Sequence, residues 1–600
     1  MSIRNVSVLA LALPMSWFAS CQSEPKSAAP SVKVEGKLRS YRLVRNGQPY
    51  FIKGVGGTGS RPLLLQCGAN SIRTWGAENI GKILDEAHKD GLSVTVGVWL
   101  GHQDVFNYKD PTAVKKQLEM CRAVVERYKS HPAVLIWAFG NEMEGYGKGD
   151  DPAVWKAVND IAAMSKSLDP NHPTMTVVAE IGGDRVKNLH ELCPDIDIIG
   201  INSYGGAPSL PERYKMAGGT KPYILTEFGP QGPWEVKKTR WDAPIEMSST
   251  EKGEFYRNSY RIAVKEQAGL CLGAYAFLWG NKQEGTATWF GMLLPDGGRL
   301  AATDVMTEYW KGAQPSNLVP RIEALALDKT DGLKPGEVIT ANLQASDPEG
   351  KEVKVKWVLT GETVERLTAG KDEAVPDRHP EAIIEKSHTS AKIKVPAYGG
   401  AYRLFAYVFD DIEGAAVANV PLFVEGPPKP VRTSKVELPL VVYSDGGKPL
   451  PFAPSGWMGQ TSALSLDLES KDKPQSGSSC ARMTYADPTG WGGIAWRCPA
   501  NDWGDQPLGF DLSGAKHLSF WMRGAKGGEK VNVEFGIIGK DKKYFDTASA
   551  KLEIEAKKDW TRYQIALAGK DLSRIKTGFV VTIAGSGTPV TVFLDDVRFE

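Results

Sequence analysis

Between Phe51 and Trp279 the sequence alternates eight times between a short apolar run and a longer segment with helical periodicity. The apolar runs are nearly continuous, as expected of parallel strands that are buried on both faces. Eight such units predict a closed (β/α)8 barrel, the TIM barrel. An open doubly wound sheet would need fewer strands and a phosphate-binding loop after the first. The segment Gly54–Gly59 is glycine-rich, but Arg61 and Pro62 follow it and the lysine of such a loop is absent.

The ends of the apolar runs set the bounds of the predicted elements. Strands are expected at Phe51–Gly57, Ser71–Trp75, Ser93–Leu100, Val134–Glu142, Thr174–Glu180, Ile196–Tyr204, Pro222–Gly229 and Cys271–Trp279. Helices are expected at Ile80–Asp90, Pro111–His131 and Pro152–Leu168, among other segments. The barrel is predicted to occupy residues 40–315.

Polar and aromatic residues gather where these strands end, which is where the active site of such a barrel lies. In chain order they are Arg73, Trp75, His102, Asn141, Glu142, Glu180, Tyr204, Glu227 and Trp279. A buried carboxylate is costly unless it is paired or used in chemistry. Three carboxylates on one face therefore indicate either a catalytic site or a structural network.

Two strand ends carry longer motifs. Residues 136–142 (IWAFGNE) close the fourth strand and residues 224–229 (ILTEFG) close the seventh. Together with Arg73 at the end of the second strand, they resemble the catalytic motifs of glycoside hydrolase clan A. The resemblance spans Gln48–Lys311 and is greatest to the TIM-barrel domain of glycoside hydrolase family 2, with a weaker likeness to β-glucanosyltransferases. The segment before the barrel is too short for the β-sandwich domains that precede it in family 2 enzymes, so substrate preferences are not transferred.

The resemblance implies a retaining, double-displacement mechanism with Glu227 as nucleophile and Glu142 as acid/base. Such a mechanism needs carboxyl groups about 5–5.5 Å apart, and strands four and seven face each other across the barrel mouth. Arg73 and Tyr204 are expected to stabilise the ionised form of Glu227. Burial and the charge of Glu227 are expected to keep a proton on Glu142 near neutral pH.

Four further residues are expected to bind the sugar. The resemblance implies that Asn141 contacts the 2-hydroxyl and that Trp279 forms an apolar floor beneath the ring. His102, just past strand three, is either a sugar contact or a buried histidine satisfied by backbone. Glu180, which ends strand five, is expected to bind a sugar or support Arg73; a plain surface position is the alternative. The loop after strand seven carries Gln231, Trp234 and Trp241, and it is expected to line outer subsites or to pack against the barrel.

Beyond the barrel the pattern changes to short alternating strands. Residues 316–426 resemble an immunoglobulin-like or PKD-like spacer, and the Pro-rich segment 427–434 is expected to be a stiff linker. Residues 435–600 are again all-β and resemble a carbohydrate-binding jelly roll. The predicted fold is therefore multidomain, a TIM barrel followed by two β domains.

Two features of the last domain suggest ligands. Trp491 and Trp503 lie in Gly-rich loops and are candidates for stacking on sugar rings. Asp595 and Asp596 are adjacent acids that could hold a structural Ca²⁺. No cofactor is required by the expected chemistry, and the cysteines show no metal-ligand spacing. Cys480 and Cys498 could form a disulfide in an exported protein or remain free.

Residues 1–21 are predicted to be a lipoprotein signal peptide. Arg4 precedes an apolar run, Val6–Ala19, that is too short to span a bilayer. The residues ending at Cys21 resemble a bacterial lipobox, which predicts lipidation of Cys21; an ordinary signal peptide cleaved nearby is the alternative. Residues 22–39 are expected to be a tether. The protein is thus predicted to be exported and anchored to a bacterial membrane, at the outer membrane or cell surface.

Charge and motif together define the expected function. The 72 basic residues balance the 71 acidic ones and form no basic stripe, so nucleic acid is not an expected partner. The expected partner is a β-linked polysaccharide or oligosaccharide, with β-glucan as the first hypothesis. A transglycosylase that uses the same residues is one alternative. A non-catalytic glycan-binding lipoprotein is another, and the presence of both glutamates argues against it.

Overall fold

A computed structural model describes residues 31–145, 147, 149–363, 373, 375–427, 434–445 and 450–600. The predicted signal peptide with Cys21, the first half of the predicted tether and almost all of the linker lie outside these residues. The chain divides into two compact units, one up to Pro427 and one from Pro428 onward. Among the helices in the described ranges, none is long and apolar enough to cross a membrane.

The first unit begins with a small antiparallel sheet. Its strands are β1 (Val32–Glu35), β2 (Arg42–Arg45) and β3 (Gln48–Tyr50). Val32 and Leu43 are buried in one apolar cluster with Leu135 and Tyr275 of the barrel strands. The expectation of a tether over residues 22–39 is therefore corrected for its last part, because Val32–Glu35 pairs with β2 and contributes to the core.

Eight parallel strands form a closed barrel, which confirms the predicted fold. They are β4 (Ile52–Gly57), β5 (Ser71–Arg73), β6 (Ser93–Val98), β7 (Val134–Asn141), β8 (Thr174–Ala179), β9 (Ile198–Asn202), β10 (Tyr223–Phe228) and β11 (Cys271–Trp279). Each pairs with its neighbours in chain order, and β11 closes the ring on β4. Each predicted strand matches one of these to within two residues at either end.

The helices form the outer layer and bury their apolar faces on the strands. Their bounds are α1 (Arg61–Gln66), α2 (Ile80–Lys89), α3 (Pro111–Tyr128), α4 (Pro152–Leu168), α5 (Arg185–Glu191), α6 (Leu210–Met216), α7 (Ser249–Ala263) and α8 (Ala301–Lys311). Asp110 and Asp151 cap α3 and α4 with their side chains, and a proline follows each as the first helical residue. These local signals explain why the sequence predicted both helix starts correctly.

A β-sandwich follows the barrel within the same unit. Its strands are β12 (Arg321–Leu327), β13 (Val338–Ser346), β14 (Lys354–Gly361), β15 (Ile383–Lys386), β16 (Ser390–Lys394), β17 (Gly400–Phe409) and β18 (Ala415–Val424). They form sheets ordered β12-β13-β16-β15 and β14-β17-β18 around one apolar core.

Buried polar contacts join this sandwich to the barrel. Asn419 donates to the Glu246 carboxylate at 2.8 Å, and Arg403 donates to the Pro244 carbonyl at 2.9 Å. Lys252 on α7 forms an ion pair with Glu246, and both side chains are buried. The segment predicted as a spacer is thus packed against the loop between β10 and α7.

The second unit is a β-sandwich with its own core. Its strands are β19 (Ser434–Lys435), β20 (Leu440–Tyr443), β21 (Ala453–Gly459), β22 (Leu464–Ser470), β23 (Cys480–Tyr485), β24 (Trp491–Arg497), β25 (Phe510–Asp511), β26 (His517–Gly524), β27 (Glu529–Phe535), β28 (Ala550–Ala556), β29 (Thr561–Ala566), β30 (Thr577–Ala584) and β31 (Val590–Phe599). One sheet runs β22-β23-β31-β26-β29, with β20 also on β31, and the other runs β21-β24-β30-β27-β28.

The polar features predicted for this unit have protein partners. Asp595 accepts from the backbone amides of Gln475 and Ser476, at 3.0 and 3.2 Å. Among the described residues, no group of three or more His, Cys, Asp or Glu side chains is arranged to hold a metal ion. Cys480 and Cys498 are free thiols, so the possible disulfide is not formed.

Candidate active site

Glu142 and Glu227 stand at the same end of the barrel, on strands that face each other. Glu227 lies within β10, and Glu142 directly follows β7. The backbone at Glu142 is left-handed, with φ of 53°, and its amide donates to the Val177 carbonyl on β8 at 2.9 Å. The strand ends in this turn, and the Glu142 side chain comes within hydrogen-bond distance of Asn202 at the end of β9.

Three donors hold the Glu227 carboxylate. Arg73 Nη1 and Trp75 Nε1 donate to Oε1 at 2.9 and 2.7 Å, and Tyr204 Oη donates to Oε2 at 2.7 Å. Glu227 and Arg73 are both buried, so their ion pair lies largely out of water. A cation and two neutral donors all favour the charged form of a carboxylate. Burial, followed by the charge of Glu227, raises the pKa of Tyr204 well above its ordinary value, so its hydroxyl stays a donor.

Glu142 has a different environment. Asn202 Nδ2 donates to its Oε1 at 2.7 Å. Burial raises the pKa of Glu142 to about 7, the nearby charge of Glu227 adds to this, and the Asn202 hydrogen bond opposes it. One carboxylate is thus surrounded by donors and a cation, while the other holds its proton until near neutral pH. Such a division of environments is the usual mark of a nucleophile and an acid/base pair.

Two amides connect these carboxylates. Asn141 Oδ1 accepts from Arg73 Nη2 at 2.6 Å and from Asn202 Nδ2 at 3.2 Å. Thr226 in turn donates to Asn202 Oδ1 at 2.8 Å, which fixes the orientation of that amide. Sequence reasoning did not select Asn202. The available signal was a single polar residue at the end of an otherwise apolar sixth strand.

His102 and Glu180 lie on the same face but outside this network. His102 Nε2 is 3.1 Å from the Asn141 carbonyl oxygen, and its ring stacks on Trp99. Glu180 forms an ion pair with Arg213 at 2.6 Å and also accepts from Ser203. The expectation that Glu180 supports Arg73 is therefore corrected, because its carboxylate is used by Arg213. Their role in binding sugar stays a prediction.

The structure does not bring Trp279 to the mouth. Its side chain is 1% exposed, packs in the layer between strands and helices, and donates to the Ser60 carbonyl at 3.0 Å. The aromatic residue of β11 that meets the site is Phe277, whose ring lies 5.9 Å from Trp75 and 5.7 Å from Tyr204. Trp279 is therefore not placed to lie beneath a sugar at the mouth, and Phe277 is the β11 aromatic residue that contacts the Glu227 network.

The barrel sequence is similar to a known family of glycosidases. Residues 62–233 match the family model described as glycosyl hydrolases family 2, TIM barrel domain. The barrel resembles that of family 2. A β-glucuronidase of Paenibacillus borealis is 28% identical over an alignment of 239 residues, and the match covers 33% of this chain and 38% of that protein. A probable mannan endo-1,4-β-mannosidase F of Aspergillus oryzae is 26% identical over 191 residues, 27% of this chain and 40% of that protein.

The chain spans less than half the length of these relatives. Among solved structures, a β-D-glucuronidase of Dictyoglomus thermophilum aligns with a TM-score of 0.37 and 20% identity, covering 47% of this chain and 53% of that one. A β-glucuronidase of Ruminococcus gnavus aligns with a TM-score of 0.37 and 19% identity, covering 48% and 53%.

Proposed function

We propose that this chain hydrolyses β-linked glycans with retention of configuration, using Glu227 as nucleophile and Glu142 as acid/base. The observation that carries the proposal is the contrast between the two carboxylates. Glu227 is held by Arg73, Trp75 and Tyr204, whereas Glu142 has a pKa of about 7. The similarity of the barrel to family 2 glycosyl hydrolases supports the same assignment.

The contacts suggest how each group takes part. Glu227 attacks the anomeric carbon while Glu142 gives its proton to the departing oxygen. Water then attacks the glycosyl-enzyme ester, and Glu142, now ionised, accepts a proton from that water. Asn141 Oδ1 is occupied by Arg73 and Asn202, and its Nδ2 has no hydrogen-bond partner among the described residues. That Nδ2 is the donor we assign to the sugar 2-hydroxyl.

Charge at the mouth supports a neutral sugar, and β-glucan remains our first hypothesis. Arg73, Arg213 and Lys282 are each within 2.9 Å of a carboxylate oxygen of the protein. Among the described residues, a uronic acid bound by one of these three cations would have to displace the carboxylate already paired with it, which costs the existing pair. The relatives named above act on glucuronides and on mannan, so the sugar is not inherited from them.

The raised pKa of Glu142 predicts an alkaline limb in the activity profile. Glu142 must carry a proton in the first step, so kcat/KM should fall as pH rises through about 7. Measurement of kcat/KM from pH 5 to 9 on an unactivated substrate tests this prediction. A rate that is constant between pH 6 and 9 would contradict the role of Glu142 as the acid.

The direct test is to incubate the purified chain with mixed-linkage β-glucan, laminarin, mannan and aryl β-glucosides, β-mannosides, β-galactosides and β-glucuronides. Proton NMR of the first products reports their anomeric configuration. Release of β-configured products supports the proposal, and α-configured products or no cleavage of the whole panel would overturn it. Products longer than the substrate would indicate transglycosylation by the same residues.

We also propose that the second unit binds glycan through Trp491. This side chain begins β24 and is 48% exposed, so a ring face is free to stack on a sugar. Trp503 is less suited, because the Arg497 guanidinium lies 4.1 Å from its ring centroid. Trp491→Ala should weaken binding of the full chain to insoluble glucan severalfold while leaving aryl glycoside hydrolysis unchanged. Trp503→Ala is measured in parallel as a comparison. Equal binding by wild type and Trp491→Ala would remove Trp491 from this role.

A further inference from the structure

Two tryptophans of the barrel mouth are left exposed to solvent. Trp99 is 39% exposed and Trp234 is 61% exposed. Five other tryptophans of the barrel are no more than 3% exposed: Trp137, Trp155, Trp279, Trp289 and Trp310. A large apolar ring is normally buried, so exposed rings beside a site indicate a surface that a flat apolar ligand covers.

Trp99 stands above strand β6. Ser93 and Thr95 hydrogen-bond to groups inside the barrel, to Ser71 and Tyr275, and side chains alternate along a strand. β6 ends at Val98, so Trp99 directly follows the strand at the mouth of the barrel. Its ring stacks on His102 with centroids 5.2 Å apart, and His102 contacts the backbone of Asn141. Trp99 is therefore connected through His102 to Asn141, the residue that precedes Glu142.

Trp234 is held on the other side of the site. Its ring packs edge-on against Tyr204, with centroids 5.8 Å apart, and the Tyr204 hydroxyl donates to Glu227. Gly232 lies directly beneath the indole, where a Cβ would come within 2.4 Å of ring atoms. Only glycine permits this approach, so the backbone supports the indole, which is still 61% exposed.

The two rings lie on opposite sides of the barrel. Trp99 follows β6, the third barrel strand, and Trp234 follows β10, the seventh; in the closed ring these are four strands apart in either direction. Glu142 and Glu227 lie between them. A pocket that binds only a terminal sugar needs an apolar platform on one side of the scissile bond, whereas platforms on both sides suit a chain that crosses the site.

We propose that Trp99 and Trp234 are sugar-stacking platforms on either side of the bond that is cleaved, and that the enzyme acts inside a neutral β-linked polysaccharide. This inference rests on the proposed hydrolytic function and adds its mode of attack. Removal of either ring should lower kcat/KM on long substrates by about tenfold. Each stacked ring contributes to binding through its aromatic contact and through the apolar area that it buries.

The test compares Trp99→Ala and Trp234→Ala with wild type and with Phe51→Ala. Phe51 is a matched control, because it is an exposed aromatic residue at the opposite end of the barrel, before β4. The substrates are laminari- and cello-oligosaccharides of two to six units, an aryl β-glucoside and polymeric mixed-linkage glucan. We expect kcat/KM of wild type to rise with chain length, each Trp variant to lose most of that rise, and Phe51→Ala to keep it.

Early products from the polymer give an independent reading. Wild type should release a range of oligosaccharides from the start, and the control should do the same. If wild type releases only the terminal monosaccharide, or both Trp variants match Phe51→Ala, the inference is wrong while the proposed function stands.

If the proposed function itself is wrong, no substrate of the panel will be cleaved. In that case calorimetry of Glu227→Gln protein with laminarihexaose and cellohexaose decides the binding claim. If adding Trp99→Ala or Trp234→Ala to the Glu227→Gln protein lowers its affinity for these oligosaccharides, the platforms are supported. Unchanged or absent binding overturns them.

Discussion

The Glu227→Gln variant should lose turnover on every substrate, with kcat falling by at least about 10⁴-fold. An amide cannot form the glycosyl ester, so neither natural nor activated substrates can enter the first covalent step. The fold should persist, because Arg73 and Trp75 both donate to Oε1, which an amide oxygen replaces directly. The Tyr204 hydroxyl, which faces Oε2, can turn to accept from the new amide nitrogen.

Two controls make this result specific to the nucleophile. Thermal unfolding of Glu227→Gln should stay close to wild type, which excludes loss of the fold as the cause. In Glu227→Ala, azide should restore activity on an activated aryl glycoside and give the α-glycosyl azide, because it attacks from the face that the carboxylate occupied. Rescue with β configuration, or retention of more than about one per cent of turnover by Glu227→Gln, would contradict the assignment.

The Glu142→Gln variant should separate substrates by their leaving groups. On unactivated glycans kcat/KM should fall about 10²–10⁴-fold, since no proton reaches the departing oxygen. An aryl glycoside with an acidic phenol needs little protonation and should keep its first step. The amide oxygen can still accept from Asn202, so the local structure should be preserved.

The second step of this variant supplies its control. Without a base to activate water, the glycosyl-enzyme should accumulate and give a burst of phenol followed by slow turnover. In Glu142→Ala, azide should relieve this slow step and produce the β-glycosyl azide, the opposite configuration to the product of Glu227→Ala. Equal losses on activated and unactivated substrates would remove Glu142 from the acid/base role.

Local patterns in the sequence determined the barrel and placed most of its site. Each barrel strand is a short apolar run bounded by polar residues, and the side chains of Asp110 and Asp151 mark helix starts. Because parallel strands end at a common edge, residues at strand ends were placed on one face before any contact was known. This is why Arg73, Glu142 and Glu227 were predicted together.

The tertiary structure alone decided which of these neighbours touch. Asn202 joins Glu142 to Asn141 through contacts between residues about 60 positions apart, which no local pattern encodes. Phe277 and not Trp279 meets the site, because the direction of a side chain at the end of a strand depends on the local backbone and its neighbours. Val32 belongs to the folded core because of residues that are distant in the chain. Strand β2 pairs with it, and side chains of the barrel strands cover it.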